Sequence, residues 1–262
     1  MEKNEVTQMP GMYAHYRFGR QVLGAFSPRQ RQSIGRFRRL YEMGLYGPDI
    51  FDYYNPLAQT QVGDLEARYH SQTGRECFTA ALAAATSEGA QAYLWGLLTH
   101  YCLDTAWDDA LQKLTRQGLR RETLEAEFDA YLLELDGLDP RYDRSRHMAL
   151  TRGECVTVSQ FYPPATAAQT HGAIGRMRWF YHFLANPNEK RVARWMGLLK
   201  STPLYHRQVP QALTQDQRHR CSTLLTRYTR AVKQFPTLPE SLTQSPLPEI
   251  FNPPFRGEEG KG

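Results

Sequence analysis

Apolar residues recur at intervals of three and four along most of the chain, a spacing that predicts amphipathic helices. The most apolar segment runs from Gly89 to Leu114 and includes Leu94, Leu97, Leu98 and Tyr101. Runs of alternating β-branched residues, which are typical of strands, are nearly absent. The pattern therefore predicts an all-α fold with the 89–114 helix at its centre.

Capping and breaking residues predict where the helices begin and end. Ser27 and Pro28 provide an N-cap and a first-turn proline for the second helix, and Gly47-Pro48 ends it. The segment 49–54 that follows is predicted to be a loop. The ranges predicted to be helical are 12–25, 28–46, 64–86, 89–114, 121–135, 165–184, 189–199 and 213–234.

The chain length allows one sizeable core, because 41% of the 262 residues are hydrophobic. We predict a single multi-helix domain over residues 1–235. Residues 236–262 are expected to form a separate proline-rich tail, either an extended strap over the domain or a disordered segment. The prolines of this tail begin with Pro236 and Pro239 and end with Pro253 and Pro254.

The net charge of the chain excludes few classes of function. The chain has 32 Lys and Arg residues against 27 Asp and Glu residues, a net charge of +5, and the basic residues are spread through amphipathic segments. This balance weakly favours an anionic partner. A phosphate-bearing substrate, a membrane surface and nucleic acid are all compatible with charge alone, and nothing further in the sequence predicts nucleic-acid binding.

Location is predicted to be cytoplasmic. The polar residues 1–10 lack the basic start, apolar stretch and cleavage site of a secretory signal. No apolar run approaches the roughly 20 residues of a membrane span. The four cysteines lack CxxC spacing, so neither a disulfide framework nor a thiolate zinc site is expected.

His100 and Asp104 are candidates for chemistry because they lie four residues apart on the central predicted helix. Their side chains therefore project from one face. One interpretation is an ordinary buried hydrogen bond between the two residues. The other is a divalent cation bound by both, which would satisfy two polar groups on a very apolar helix.

Three further residues have ordinary explanations when each is taken alone. His15 lies among aromatic residues, as a core histidine would. Asp49 follows a proline in a turn, where an aspartate often caps the backbone. His70 shows no distinctive spacing.

Four motifs, taken in order along the chain, resemble the metal-ligand blocks of the zinc-dependent phospholipase C family. They are MPGMYAHYRFG at 9–19, GPDIFDYY at 47–54, His70, and YLWGLLTHYCLD at 93–104. The segment LEAEFD at 124–129 resembles the next block, so the similarity covers roughly the first half of the chain. The Met-Pro start after a short leader resembles the cytoplasmic branch of that family.

The resemblance implies an all-helical hydrolase that binds up to three zinc ions and cleaves a phosphodiester with a metal-activated water. Asp49, His70, His100 and Asp104 would form the first metal site. His15 would serve another site, with Asp104 as a bridge. Asp49 also stands at the position of the family's general base. The implied substrate is a phosphate-containing small molecule or a lipid headgroup.

The chain departs from the family pattern at two ligands of one site. The family helix carries a further His four residues after Asp104, where this chain has Asp108. The next block carries a His four residues before Glu125, where this chain has Arg121. Because Arg is a poor metal ligand, one or two zinc ions are expected instead of three.

Three interpretations of Asp108, Arg121 and Glu125 are open. Arg121 replaces the charge of the missing ion, by holding a substrate phosphate or by pairing with the two carboxylates. Alternatively, Arg121 is a solvated residue at a helix start beside Arg120. In the third interpretation the two carboxylates are hard ligands for magnesium or manganese.

Two functions follow from these alternatives. The first is a metal-dependent phosphoric ester hydrolase. The second is a catalytically impaired relative that keeps one metal ion and acts as a binding or interaction protein.

Outside the matched region, the aromatic run 179–183 is interpreted as core. The basic residues around it are interpreted as a solvated face, with a phosphate or lipid headgroup as the alternative; they are Arg176, Arg178, Lys190, Arg191 and Arg194.

Overall fold

A computed structural model describes residues 11–254, except 59, 144, 146, 201 and 208–211. Within these residues the secondary structure is helical and includes no β-strand, which confirms the predicted all-α fold. The α-helices are α1 (Met12–Gln21), α2 (Pro28–Arg36), α3 (Arg38–Gly44), α4 (Leu65–His70), α5 (Gly74–Ala84), α6 (Glu88–Thr115), α7 (Arg121–Leu135), α8 (Arg152–Ser159), α9 (Ala167–Leu184), α10 (Glu189–Leu198), α11 (Gln215–Gln234) and α12 (Leu238–Ser241). The 3-10 segments are Val22–Ala25, Gly47–Tyr53, Pro203–Arg207, Phe235–Thr237 and Glu249–Phe251.

Helix α6 is the axis of the domain. It begins after Ser87, whose side chain accepts a hydrogen bond from the Ala90 amide. Helices α1, α2, α3, α5, α7, α8 and α11 all pack against it. A helix that is apolar on every side must be covered on every side, which explains its central place.

The crossing of α3 and α6 is unusually close because glycines meet there. A Cβ atom on Gly44 would lie 2.3 Å from the Tyr93 carbonyl oxygen, and one on Gly96 would lie 2.2 Å from the Tyr41 carbonyl oxygen. Neither distance leaves room for a side chain. The contact brings the chain that leaves α3, residues 45–53, directly alongside the middle of α6.

Several predicted boundaries differ from the structure. The predicted 28–46 helix breaks at Phe37 (φ −115°, ψ 41°), and the predicted loop at 49–54 lies mostly in the 3-10 helix Gly47–Tyr53. The predicted 64–86 helix is divided by Thr73, which forms a capping box with Glu76 and starts α5.

Helix α8 was not predicted, although its sequence carries a start signal. Thr151 and Glu154 form a capping box at its first turn. Both this signal and the Thr73 signal have the Thr-x-x-Glu pattern, so a search for caps before periodicity finds them.

The described part of the proline-rich segment packs on the domain. Phe235, Leu238, Leu242 and Phe251 are buried, and a single bridge pairs Thr73 with Pro254. Residues 255–262 of the predicted tail lie outside the described residues, as do Met9 and Pro10 of the first motif. Within the described ranges no helix has the length and apolar character needed to cross a membrane.

The substitution Gly96→Ala tests the close helix crossing. Its Cβ would meet a backbone carbonyl that cannot move aside, so we expect a loss of about 2–3 kcal/mol in the free energy of unfolding. The control is Gly35→Ala in α2, where a Cβ meets open space and better helix propensity should add up to about 1 kcal/mol. Urea unfolding measures both. An unchanged midpoint for Gly96→Ala would contradict the crossing described.

Candidate metal centre

Side chains from four separate elements converge on one buried point. Helix α1 provides His15, the 3-10 segment Gly47–Tyr53 provides Asp49, α4 provides His70, and α6 provides His100 and Asp104. None of the five is more than 1% exposed. The structure thus brings together all five residues that the sequence proposed as metal ligands.

Five of the six separations among four ligand atoms in this cluster are nearly equal. His70 Nε2 lies 3.4 Å from Asp49 Oδ1 and 3.3 Å from Asp104 Oδ2. His100 Nε2 lies 3.5 Å from Asp49 Oδ1 and 3.4 Å from Asp104 Oδ2. The two imidazole nitrogens are 3.4 Å apart. We call these four residues the tetrahedral set.

The five separations are those expected between ligands of one metal ion, and the name of the set refers to the four-ligand geometry that such an ion would need. Nitrogen and oxygen ligands at about 2.0–2.1 Å from zinc must lie about 3.3–3.4 Å from one another. The donor types fit as well. Two neutral imidazoles and two carboxylates would give a site with no net charge around a divalent ion, and a neutral site is the least costly to bury.

In both imidazoles of the set, the Nδ1 atom points away from the centre and lies next to a hydrogen-bond acceptor. His70 Nδ1 lies 2.9 Å from Glu66 Oε1 and 3.0 Å from the Glu66 carbonyl oxygen. His100 Nδ1 lies 3.2 Å from the Leu45 carbonyl oxygen. With an ion in the centre, both Nδ1 atoms would carry the proton and both Nε2 lone pairs would face the ion. This arrangement is typical of metal-binding histidines.

Glu66 is a functional residue that sequence reasoning missed. It is 1% exposed and contacts His70 from one helical turn before it. The available signal was the four-residue spacing, which places Glu66 and His70 on the same face of α4.

Electrostatics at Asp104 agree with a centre built for a cation. Burial raises the pKa of this carboxyl, but the imidazoles of His100, His15 and His70 outweigh burial and hold its pKa well below the usual value. Asp104 is therefore ionised. Within the described structure neither of its oxygens accepts a hydrogen bond of normal geometry, although imidazole nitrogens are 3.2–3.4 Å away.

His15 lies close to the other carboxylate oxygen of Asp104, Oδ1. His15 Nε2 lies 3.2 Å from Asp104 Oδ1, and the His15 ring stacks on the His100 ring at 4.5 Å between centroids. Asp104 therefore has the form of a bridging carboxylate, with one oxygen in the tetrahedral set and one toward His15. A second ion at His15 would have fewer protein donors than the first.

Two backbone features place these side chains. Asp129 accepts hydrogen bonds from the Tyr13 and Ala14 amides, at 3.0 and 2.9 Å, and so caps the start of the helix that carries His15. Gly47 has φ +50°, and a Cβ there would lie 2.8 Å from the His100 ring. A larger residue would displace the imidazole.

The structure decides among the interpretations of Arg121. Arg121 is 7% exposed; its Nε donates to Glu125 Oε1 at 2.9 Å and its Nη1 donates to Asp108 Oδ1 at 3.0 Å. The interpretation of a solvated residue is therefore wrong, because the guanidinium is buried between two carboxylates whose charge offsets its desolvation. A magnesium or manganese ion between the same carboxylates would compete with this guanidinium.

Arg121 is also coupled to the tetrahedral set. Burial lowers its pKa, but Glu125, Asp108 and Asp104 together raise the pKa above its usual value. The guanidinium is therefore a permanent positive charge within electrostatic range of Asp104.

The substitution Glu66→Gln tests the role of the outer carboxylate. It keeps the size of the side chain but weakens the hold on the His70 ring, so we expect zinc affinity to fall about 10–100-fold. Competition with a chelating dye measures this affinity. Glu134→Gln, at an exposed position of α7, is the control and should leave affinity unchanged. Equal affinity for Glu66→Gln and wild type would show that Glu66 does not orient a ligand.

The double variant Asp108→His/Arg121→His tests whether the guanidinium replaces an ion. We expect the variant to bind one more metal ion per chain than wild type, because two imidazoles and Glu125 would then offer a third site. Metal analysis after dialysis gives the stoichiometry. Adding Glu125→Gln should abolish the gain. An unchanged metal content in the double variant would refute the replacement.

No family model, no curated protein and no solved structure matches the chain. The resemblance of its motifs to the zinc-dependent phospholipase C family therefore stays a prediction, and function has to be inferred from the centre itself.

Proposed function

We propose that the protein is a metal-dependent hydrolase of phosphate esters, similar to phospholipase C, with zinc held by Asp49, His70, His100 and Asp104. One observation carries the proposal. Four residues from distant parts of the chain converge, and five of the six separations among their ligand atoms, between 3.3 and 3.5 Å, are compatible with one bound ion. Such agreement supports a metal site over a chance meeting of polar groups.

Zinc fits the donor set better than a harder ion. Imidazole nitrogen suits zinc, whereas magnesium prefers six oxygen ligands in octahedral geometry. A second zinc ion is proposed at His15 and the free side of Asp104. The third family position is taken by Arg121.

Each protein group has a role in the proposed reaction. Bound zinc would supply a Lewis acid that polarises a phosphoryl oxygen and lowers the pKa of a water molecule. Asp49 would accept the proton of the attacking water, the general-base role that the resemblance implies. Arg121 would stabilise negative charge that develops on the phosphate. Glu66 keeps the His70 ring in position.

The number of protein ligands favours a second candidate function, a binding protein without catalytic activity. Structural zinc ions are held by four protein ligands, whereas catalytic zinc ions keep a position open for water or substrate. The tetrahedral set supplies four ligands, and each is buried. A catalytically impaired relative that keeps its metal as a binding protein would look this way.

Metal content and turnover together separate the two functions. Protein purified without chelators should contain at least one zinc ion per chain and should cleave a generic phosphodiester such as bis(4-nitrophenyl) phosphate. Asp49→Asn should lower kcat by about 100-fold or more, the usual contribution of a general base. His219→Ala, at an exposed position of α11, is the matched control.

Each outcome has a distinct meaning. Bound zinc without turnover of small phosphodiesters or phospholipids would favour the binding protein. Near-zero transition metal, both in purified protein and after incubation with zinc, would overturn both functions. A kcat for Asp49→Asn equal to that of wild type would remove Asp49 from the proposed chemistry.

A further inference from the structure

Helices α9 and α10 expose a row of large apolar side chains. Trp179 is 55% exposed, Trp195 is 49% exposed and Leu198 is 68% exposed. The Trp179 ring stacks on Phe183 with 5.3 Å between centroids, and Phe183 meets the edge of Trp195 at 6.5 Å. Phe183 itself is buried, at 9% exposed, and joins the two exposed indole rings from below.

The interpretation of residues 179–183 as core is therefore only partly correct. Phe180 and Tyr181 are 3% exposed and pack inward, as expected. Trp179 lies on the opposite side of the same helix and faces solvent. A contiguous apolar patch of this kind on a polar chain is typical of an interaction surface.

Basic residues surround this row. Arg178 adjoins Trp179, and all of Arg178, Arg191 and Arg194 are exposed. On α10 the positions 191, 194, 195 and 198 follow the spacing i, i+3, i+4, i+7, which places two arginines, Trp195 and Leu198 on one face. We call the set Arg178, Trp179, Phe183, Arg191, Arg194, Trp195 and Leu198 the aromatic–basic face.

Two nearby carboxylates have polar partners of their own, and three arginines outnumber them on this surface. Asp143 lies 3.1 Å from His182 Nδ1, and Glu189 lies 3.8 Å from Arg141. The aromatic–basic face therefore presents positive charge together with exposed indole rings.

We infer that the aromatic–basic face docks the protein on a membrane surface that contains anionic lipid. Tryptophan is the side chain that best fits the boundary between headgroups and acyl chains. A short helix with leucine and tryptophan beside arginine is typical of helices that lie in that boundary. Anionic headgroups attract the arginines. This inference is independent of the proposed hydrolysis.

A second copy of the chain fits the same surface less well. In a two-fold symmetric contact each patch meets itself, so the arginines of one copy would face the arginines of the other. An anionic bilayer offers complementary charge and an apolar layer at once.

Vesicle co-sedimentation of the full chain tests the inference. The probes are vesicles of phosphatidylcholine alone and vesicles that also contain phosphatidylglycerol. We expect binding to the anionic vesicles at ~0.05 M salt and much weaker binding at ~0.5 M salt, because salt screens the attraction. Uncharged vesicles should bind weakly at both.

Paired variants assign the binding to this face. Arg191→Gln/Arg194→Gln should weaken binding to anionic vesicles about fivefold for each arginine removed. Arg230→Gln/Lys233→Gln on α11 removes the same charge from another surface and should leave binding within about twofold of wild type. Trp179→Ala/Trp195→Ala should also weaken binding, while Leu135→Ala, at another exposed apolar position, should not.

Several results would overturn the inference. Wild type that does not sediment with anionic vesicles at low salt would do so directly. Equal losses in the two charge-pair variants would indicate non-specific attraction. Dimerisation in solution that only the Trp179→Ala/Trp195→Ala variant abolishes would assign the face to a second copy. Tighter binding to single-stranded DNA than to vesicles, lost in the same variants, would assign it to nucleic acid.

Discussion

The meeting of two imidazoles and two carboxylates in one small buried volume is the constraint on which the candidate centre depends; with Nδ1 protonated on both rings, all four groups face one another as hydrogen-bond acceptors. With both Nδ1 atoms of His70 and His100 directed at acceptors, the two Nε2 lone pairs and the oxygens of Asp49 and Asp104 share one small buried volume. Such a group repels itself unless a cation lies among its members. A divalent ion removes the repulsion and leaves no net charge, so the centre and the packing around it are stabilised together.

Several contacts in the fold fix the relative positions of the site side chains. The glycine contact between α3 and α6 brings the segment with Asp49 against the helix with His100. Asp129 fixes the start of the helix with His15. Because the ligands come from elements far apart in sequence, the centre also links those elements. An ion bound only by the folded chain would raise its free energy of unfolding by mass action.

The sequence predicted the all-α class, the central helix and the five converging residues. Periodicity finds such a helix, and ordered motifs identify side chains that share a function. It did not predict Glu66 as a support for His70, because that role is a contact and not a motif. Arg121 was misjudged for a related reason: its neighbours in sequence suggested solvent, whereas burial depends on Asp108, which lies on another helix. The exposed Trp179 was missed because periodicity does not say which side of a helix is covered.

Positive charge would reach the centre from two sources, the Arg121 guanidinium and the proposed metal ion. A guanidinium is part of the chain: it is present from synthesis, it cannot be deprotonated in a protein, and no chelator removes it. The charge on Asp108 and Glu125 is therefore offset whether or not metal is available. The carboxylates of the tetrahedral set would instead be neutralised mainly by the proposed ion, which is supplied from outside, with Arg121 adding a longer-range attraction at Asp104. If the proposed ion were removed, repulsion would return at Asp49 and Asp104, so we expect loosening to begin in the 47–53 segment that carries Asp49, while the Arg121–Asp108 contact between α7 and α6 stays intact.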